Sequence, residues 1–383
     1  MEAMQSETEK VSLDPDRQER AREYARITHR LFFIQLVLST AIVLVFLLSG
    51  LSESLRDLWA LPRLANVAVY LLVLVLGYGA VLAPLSFYSG YVLPHRFGLS
   101  TQGLKSWLFD LLKAGILSLT LGISAIVAVY WLLDEFTDMW WLLAAAFFLL
   151  LTVVLTMLTP LLIIPLFFKL KPLEDSSLSD KLMDLTRRAG VRVKAISVMD
   201  LSAKTTAGNA MLAGLGKTRR IILGDTVLEK YSADEIGLIM AHELGHHKHN
   251  DIPRLIGIQS AVILLGFYLA NVVLRWSVPL LELEGISDVA AFPVLVLTIG
   301  AFNLLAGPIT NAYSRHLETS ADRYALTLAG DPGGFVNMIT KLANQNLSEA
   351  RPSRWVEVMF YDHPPYWKRV DNARLTASER HPA

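Results

Sequence analysis

Five consecutive residues, His242-Glu243-Leu244-Gly245-His246, form the pattern H-E-x-x-H. On a helix, residues four positions apart share a face, so the two imidazoles can bind one metal ion. Glu243 then lies beside them, where its carboxylate can take a proton from an attacking water molecule. The pattern therefore predicts a zinc-dependent hydrolase.

The surrounding sequence decides whether this short pattern has arisen by chance, since a pair of helical histidines is often only polar surface. Ser232 and Glu235 have the S-x-x-E spacing of a capping box, which predicts that a helix begins there. The apolar run 236–241 leads directly into His242, so this histidine is not expected on an open polar face. The context favours a metal site on a partly buried helix.

The third metal ligand must come from elsewhere, because a zinc hydrolase needs three protein ligands and one open position. A metzincin would have its third histidine at position 252, which here is Ile252. Glu318 is the best candidate, since Asp322 lies one helical turn later and can hydrogen-bond to a ligand histidine. His249 and His316 are rival ligands, because imidazole also binds zinc.

The helices that position these residues can be predicted from the apolar composition of the chain. Of the 383 residues 53% are hydrophobic, whereas a soluble domain has about 45–50% even when Gly is counted. Six blocks have about the 20 residues that cross a bilayer core, and they lie near 31–49, 66–92, 108–133, 140–167, 254–274 and 289–312. Pro160 and Pro165 can kink or end the fourth block. Buried helices of a large soluble protein are the alternative, which six blocks with almost no charge disfavour.

Charge and cysteine content exclude several functions. The formal net charge is zero, so no nucleic-acid partner is expected. The chain has no cysteine, which excludes disulfides, thiolate ligands and a cysteine nucleophile. The first 30 residues are rich in Arg and Glu and do not resemble a cleaved signal peptide.

The distribution of Lys and Arg predicts the orientation of the spans. The connections near 134–139 and 276–288 hold acidic residues and no Lys or Arg, and the short 50–65 connection holds only Arg56 and Arg63. The segment after the second span holds Arg96 and Lys105, and the N-terminal segment, the region between spans four and five and the C-terminal tail hold many more. The positive-inside rule therefore places both termini and the H-E-x-x-H region in the cytoplasm. The predicted segments are a cytoplasmic N-terminal segment (1–30), transmembrane helices 1–4 (31–167), a cytoplasmic insert (168–253), transmembrane helices 5–6 (254–312) and a helical C-terminal part (313–383).

The insert holds a predicted β-hairpin as well as the H-E-x-x-H helix. Residues 209–212 and 219–223 read as strands, with Gly214 and Gly216 between them. The fifth and sixth spans form an antiparallel pair, which returns Glu318 to the same membrane face as His246.

These motifs together resemble the type I CAAX prenyl endopeptidase family, integral-membrane zinc metalloproteases of the gluzincin class. The resemblance covers about residues 80–370, and it is carried by residues 241–251, 314–322, 209–210, 214–218 and 363–365. Eukaryotic members of the family have seven spans, one more than the six predicted here.

The resemblance implies an α-helical integral membrane protein with a cytoplasmic zincin-like α+β metalloprotease insert. It implies one Zn²⁺ ion per chain, bound by His242, His246 and Glu318. Glu243 is then the general base, and Asp322 orients a ligand.

Four further residues have implied roles in substrate binding and catalysis. His363 and Arg369 would lie near the reacting carbonyl and stabilise the oxyanion. Asn209 and Ala210 would lie on an edge strand that pairs with the substrate backbone. Taken alone, His363 could equally be a turn residue before two prolines, and Asn209 an ordinary turn residue.

We therefore expect a zinc endopeptidase of the membrane that acts on peptide or protein substrates within or beside the lipid bilayer. One interpretation is C-terminal processing of prenylated, CAAX-like peptides. The other is quality control of damaged membrane proteins. A non-catalytic membrane protein that binds metal for structure, or a transporter or chaperone, is a further alternative, which Glu243 disfavours because a structural metal site needs no base.

Overall fold

A helical membrane domain makes up most of the fold. The computed structural model describes residues 11–214 and 219–380. Its first helices are α1 (Pro15–Leu48), α2 (Leu51–Arg56), α3 (Arg63–Phe87), α4 (Leu93–Arg96), α5 (Leu104–Glu135), α6 (Trp140–Leu158) and α7 (Ile164–Phe167). The later helices are α8 (Ser176–Arg188), α9 (Asp225–Lys230), α10 (Ala233–Lys248), α11 (Asp251–Leu280), α12 (Phe292–Ala329), α13 (Pro332–Gln345), α14 (Arg354–Phe360) and α15 (Tyr366–Arg380).

Six helical segments are long and apolar enough to cross a membrane, which confirms the six predicted spans. They comprise α1, α3 with α4, α5, α6 with α7, α11, and α12. The fourth span changes from α-helix to a π-helical turn at Thr159–Ile163. Pro160 lies in this turn, and it interrupts the helical hydrogen bonds because it has no amide hydrogen.

Ion pairs tie together the loops on one face of the membrane domain. Arg56, at the end of α2, pairs at 2.6 Å with Asp288 before α12, and the Asp288 side chain is fully buried. Arg63, at the start of α3, pairs at 2.6 Å with Asp134 near the end of α5. The connections after spans one, three and five therefore lie together, on the face away from the extramembrane domain.

A small sheet forms part of the extramembrane domain. Its strands are β1 (Leu170–Pro172), β2 (Ala195–Met199), β3 (Ala210–Ala213) and β4 (Arg220–Gly224), in the order β1-β2-β4-β3. β3 and β4 are antiparallel, which confirms the predicted hairpin, although its 215–218 loop lies outside the described residues. β3 is an edge strand, since β4 is its one neighbour in the described sheet.

The core of this domain surrounds α10. Met240 and Leu244 are fully buried in it, together with Phe335 of α13 and Ile221 of β4. Burying a side chain of this size contributes about 1.5–3 kcal/mol, so the apolar face of α10 fixes this helix against its neighbours.

The predicted segment boundaries at 30, 253 and 312 fall inside continuous helices. They lie within α1, α11 and α12, respectively. Each boundary therefore marks a change in composition along a helix, and the chain passes from membrane to extramembrane domain without a break.

Candidate metal centre

The helix α10 carries the H-E-x-x-H pattern, and its start has the predicted capping box. The Ser232 side chain accepts a hydrogen bond from the Glu235 amide, and the Glu235 carboxylate accepts one from the Ser232 amide. Two turns further on, the Nε2 atoms of His242 and His246 lie 3.3 Å apart, with the rings nearly perpendicular. The helix thus directs both imidazoles at one point.

Glu318 of α12 completes a group of three candidate ligands. Its Oε2 atom lies 3.2 Å from His242 Nε2, and its Oε1 atom lies 3.3 Å from His246 Nε2. Among the described residues, this is the group of His and acidic side chains whose ligand atoms converge, all within 4.8 Å of one another. His249 and His316 are not part of it.

The chemistry of these side chains fits a divalent cation such as zinc. Two imidazole nitrogens and one carboxylate are an established ligand set for a catalytic zinc ion. Glu318 Oε2 is buried, and apart from its 3.2 Å contact with His242 Nε2 it has no hydrogen-bond partner among the described residues. A cation among the three side chains would satisfy this oxygen.

The site depends on a close crossing of α10 and α12. Gly245 lies between the two histidines, and a Cβ atom added there would be 2.9 Å from the Cα atom and 3.1 Å from the carbonyl oxygen of Ala321. Ala321 is fully buried, between Glu318 and Asp322 in the sequence. The two helices can therefore approach closely enough for their ligands to meet because position 245 has no side chain.

Each histidine is held through its other ring nitrogen by a carboxylate. His242 Nδ1 lies 2.8 Å from Asp322 Oδ1, and His246 Nδ1 lies 2.9 Å from Asp251 Oδ2. Both aspartates are almost completely buried. Such bonds fix the tautomer and orientation of a metal ligand. Asp322 is where the sequence predicted a partner, whereas Asp251 was missed; an acid just after the H-E-x-x-H helix was the available signal.

Arg369 of α15 lies behind Asp322. Its Nε atom donates to Asp322 Oδ2 at 2.8 Å and its Nη2 atom to Asp322 Oδ1 at 2.6 Å. This is the two-bond geometry that a guanidinium favours with a carboxylate. The oxyanion role of Arg369 stays a prediction, and the bonds in the structure connect it to His242 through Asp322.

Glu243 lies between the ligand histidines and the sheet. The Leu212 backbone amide hydrogen-bonds to its carboxylate. Burial raises the pKa of the Glu243 carboxyl, while the positive charges of His242 and His246 act in the opposite direction. A carboxylate with a raised pKa holds a proton more readily, which suits a general base.

His363 reaches the site from the loop between α14 and α15. Its Nε2 atom lies 3.3 Å from Glu318 Oε1, and its Nδ1 atom lies 2.8 Å from Asp362 Oδ1. The hydrogen bond with Asp362 raises the pKa of the His363 imidazole, against the effect of burial. The side chain is 57% exposed, so His363 borders both the ligand group and solvent.

The edge strand β3 runs beside α10. The Asn209 carbonyl accepts a hydrogen bond from the Gly224 amide, and Ala210 lies opposite Leu223 in the next pair. Hydrogen-bonded and non-hydrogen-bonded pairs alternate in an antiparallel ladder. Because Asn209 and Gly224 form a hydrogen-bonded pair, Ala210 and Leu223 do not, and the amide and carbonyl groups of Ala210 point away from β4. The Leu212 carbonyl, which points the same way, lies 3.2 Å from His247 Nε2 of α10. The outer edge of β3 therefore faces the site.

Two family models match consecutive parts of the chain. The one described as peptidase family M48 matches residues 172–377, and the one described as CAAX prenyl protease N-terminal, five membrane helices, matches residues 4–169. Within residues 11–169, the structure has four helical segments long enough to span a membrane.

Curated relatives and a solved structure also match. An uncharacterized metalloprotease of Bacillus subtilis, YhfN, is 30% identical over 92% of this chain and 84% of its own length. CAAX prenyl protease 1 of Saccharomyces cerevisiae is 29% identical over 75% of this chain and 67% of its own length. The rice CAAX prenyl protease 1 homolog is 28% identical over 84% of this chain and 75% of its own length. The crystal structure of S. mikatae Ste24p has the same fold, with a TM-score of 0.83 and 24% identity over 95% of this chain and 91% of that one.

Proposed function

The chain belongs to peptidase family M48 and is a metalloendopeptidase of the membrane, and on this basis we propose that it cleaves prenylated or CAAX-like peptides with one bound zinc ion. The observation that carries the proposal is the convergence of His242, His246 and Glu318 beside Glu243. The alternative of a non-catalytic metal protein has no comparable support, since nothing about a structural metal site requires Glu243.

We propose that His242, His246 and Glu318 hold the zinc ion. When bound, zinc supplies a Lewis acid that polarises a carbonyl group and makes water a stronger nucleophile. Asp322 holds the His242 imidazole in the tautomer that leaves its Nε2 atom free to bind.

Glu243 is proposed as the general base. Its carboxylate accepts a proton from the attacking water and returns it to the leaving amine, so the peptide bond breaks without a free hydroxide or amide ion. Burial and the raised pKa of Glu243 support this assignment, because a buried carboxyl can hold the proton between the two steps.

His363 is proposed to stabilise the negative charge that develops on the carbonyl oxygen. It is half-exposed next to Glu318, where a substrate could contact it, and an imidazole N–H is a suitable donor. Arg369 adds positive charge from behind Asp322, and we assign it chiefly to holding that carboxylate.

The substrate is proposed to bind as an additional strand on β3. Asn209 and Ala210 lie at the start of this edge strand, and the Ala210 peptide groups point away from β4. Strand addition supplies main-chain hydrogen bonds and does not depend on the side-chain sequence of the substrate. Prenyl specificity must therefore come from contacts elsewhere, and its support is the activity named for the rice and yeast relatives.

The site and both termini are proposed to face the cytoplasm. The support is the alternation of Lys and Arg along the chain together with the fold, in which the connections after spans one, three and five share one face. No nucleic-acid partner is proposed.

Cleavage of paired peptides tests this function. Detergent-purified protein is incubated with a farnesylated CAAX peptide and with its unmodified twin, each with and without a zinc chelator. Chelator-sensitive cleavage that prefers the farnesylated peptide supports the proposal. Equal cleavage of both peptides would instead support quality control of membrane proteins, and no cleavage despite bound zinc would contradict both.

A further inference from the structure

Asp251 is the first residue of a membrane-spanning helix, yet its carboxylate contacts the metal-ligand helix. It is 1% exposed, and its Oδ2 atom lies 2.9 Å from His246 Nδ1. The two residues are only five positions apart, and they belong to consecutive helices, α10 and α11. This contact therefore depends on the way the chain turns between the helices.

The turn has a specific backbone conformation. Asn250 has φ +55° and ψ +44°, which is left-handed, and asparagine tolerates this conformation better than most residues. The conformation ends α10 and starts α11 within two residues, so that Asp251 points back along α10. A regular continuation of the helix would carry residue 251 away from His246, since residues five apart do not share a helix face.

We propose that Asp251 is a positioning residue for the metal centre, which holds His246 as Asp322 holds His242. The inference rests on the proposed function, because it assumes that His246 binds the metal. A carboxylate on Nδ1 fixes Nε2 as the free nitrogen and makes it a stronger donor to a cation. Asp251 also connects the metal centre directly to the fifth span.

If Asp251 only stabilised the fold, changing it would alter the stability of the protein and not its affinity for zinc. An acidic residue at the first position of a helix stabilises the helix through its dipole, with or without a metal ion. Asp225 provides the matched case, since it occupies the first position of α9, outside the site, where it accepts a hydrogen bond from the Ser202 amide. Changing Asp225 should alter stability alone, whereas changing Asp251 should alter the affinity for zinc.

The test is the zinc dissociation constant of the full-length protein in detergent, measured by competition with a chromophoric chelator. Asp251→Asn keeps the shape of the side chain and removes its charge. We expect zinc to bind about 10–100-fold more weakly than in the unchanged protein. We expect no such change for Asp225→Asn, and a similar small fall in the unfolding midpoint of the metal-free protein for both variants, since each loses a charge at the first position of a helix.

The outcomes separate the inference from the function on which it rests. Zinc affinity of Asp251→Asn equal to that of the unchanged protein would overturn the inference, provided that His246→Ala abolishes binding. If the unchanged protein binds no zinc, or His246→Ala binds it equally well, the proposed site itself is wrong. Should Asp251→Asn fail to fold, Asp251→Ser replaces it, with the same weaker binding expected and unchanged binding again contradicting the inference.

Discussion

A series of side-chain contacts leads from the candidate metal centre into the protein core. Glu318 lies against His242, His242 contacts Asp322, and Asp322 accepts two hydrogen bonds from Arg369. The buried Asp322 carboxylate is stable only when it is paired, so it depends on Arg369. The orientation of the His242 ring is thus linked, through Asp322, to Arg369 of α15.

Removing the end of this series should destabilise the fold. Arg369→Met leaves the buried Asp322 carboxylate without its cation, which typically costs about 3–5 kcal/mol. Arg369→Lys keeps the charge but cannot make both bonds, so we expect an intermediate loss. The unfolding midpoint of the metal-free protein in detergent measures the effect. A midpoint of Arg369→Met equal to that of the unchanged protein would contradict this role.

Among individual residues, the sequence predicted those site residues whose spacing is fixed by a helix. The positions of His242 and His246 follow from the i, i+4 geometry, and the predicted group with Glu318 is found in the structure. The contacts of Asp251 and Arg369 were not predicted. The first depends on one left-handed residue, Asn250, and the second joins residues 47 positions apart. Local periodicity carries no information about either.

Two elements, α10 and α12, bring the ligands together, and their separation is set by Gly245 and Ala321. The Cβ atom of an alanine at position 245 would be 2.9 Å from the Ala321 Cα atom, which is too close for either backbone to remain in place. The chemistry of the site therefore depends on a position that has no functional group.

Gly245→Ala should force the two helices apart. Overpacking of this kind costs about 1–3 kcal/mol, and it should also weaken zinc binding because Glu318 moves away from the histidines. Gly237→Ala is the matched control in the same helix, since its added Cβ atom would meet only the end of the Lys181 side chain, at 3.8 Å. There we expect a gain of about 0.5–1 kcal/mol from helix propensity. Equal stability and zinc affinity in both variants would contradict this account of the crossing.

The edge strand β3 gives a second prediction at the scale of elements. The Ala210 amide points away from β4, so Ala210→Pro removes a donor to the substrate and leaves the ladder with β4 intact. One main-chain hydrogen bond contributes about 0.5–1.5 kcal/mol, so we expect kcat/KM to fall roughly 2–12-fold. Zinc content and the unfolding midpoint are the controls. An unchanged kcat/KM would mean that substrate does not pair with this strand.

Elements marked by a local sequence pattern were predictable, and elements without one were not. All six spans and the 209–223 hairpin were identified, because each has an extended apolar pattern or a glycine-marked turn. The strands β1 and β2 were missed, because each pairs with a strand that is distant in the sequence and no turn pattern marks either of them. The continuity of α12 was also missed, because its composition changes from apolar to polar although the helix does not end.

The whole molecule combines a membrane domain with an extramembrane domain that shares its long helices. α11 begins at Asp251, beside the site, and continues as the fifth span, whereas α12 begins as the sixth span and continues to Glu318. Asp251 and Glu318 are therefore part of the same continuous helices as the fifth and sixth apolar spans.

Orientation can be tested directly, because the natural chain has no cysteine. Asp138→Cys places a single thiol in the loop between α5 and α6, where the Asp138 side chain is 93% exposed, and Asp184→Cys places one on α8, where the side chain is 56% exposed. With the site in the cytoplasm, a membrane-impermeant maleimide should label Asp138→Cys in intact cells and Asp184→Cys only after permeabilisation. The reverse pattern would place the site on the outer side.

The most direct test of the central claim is the comparison of the unchanged protein with Glu243→Gln, in which zinc content and peptide cleavage are measured on the same samples. The change is nearly isosteric and removes only the ability to take up a proton. The account predicts one zinc ion per chain in both proteins and a roughly 10²–10⁴-fold or greater loss of turnover in Glu243→Gln, the contribution typical of a general base. Full activity of zinc-loaded Glu243→Gln would contradict it.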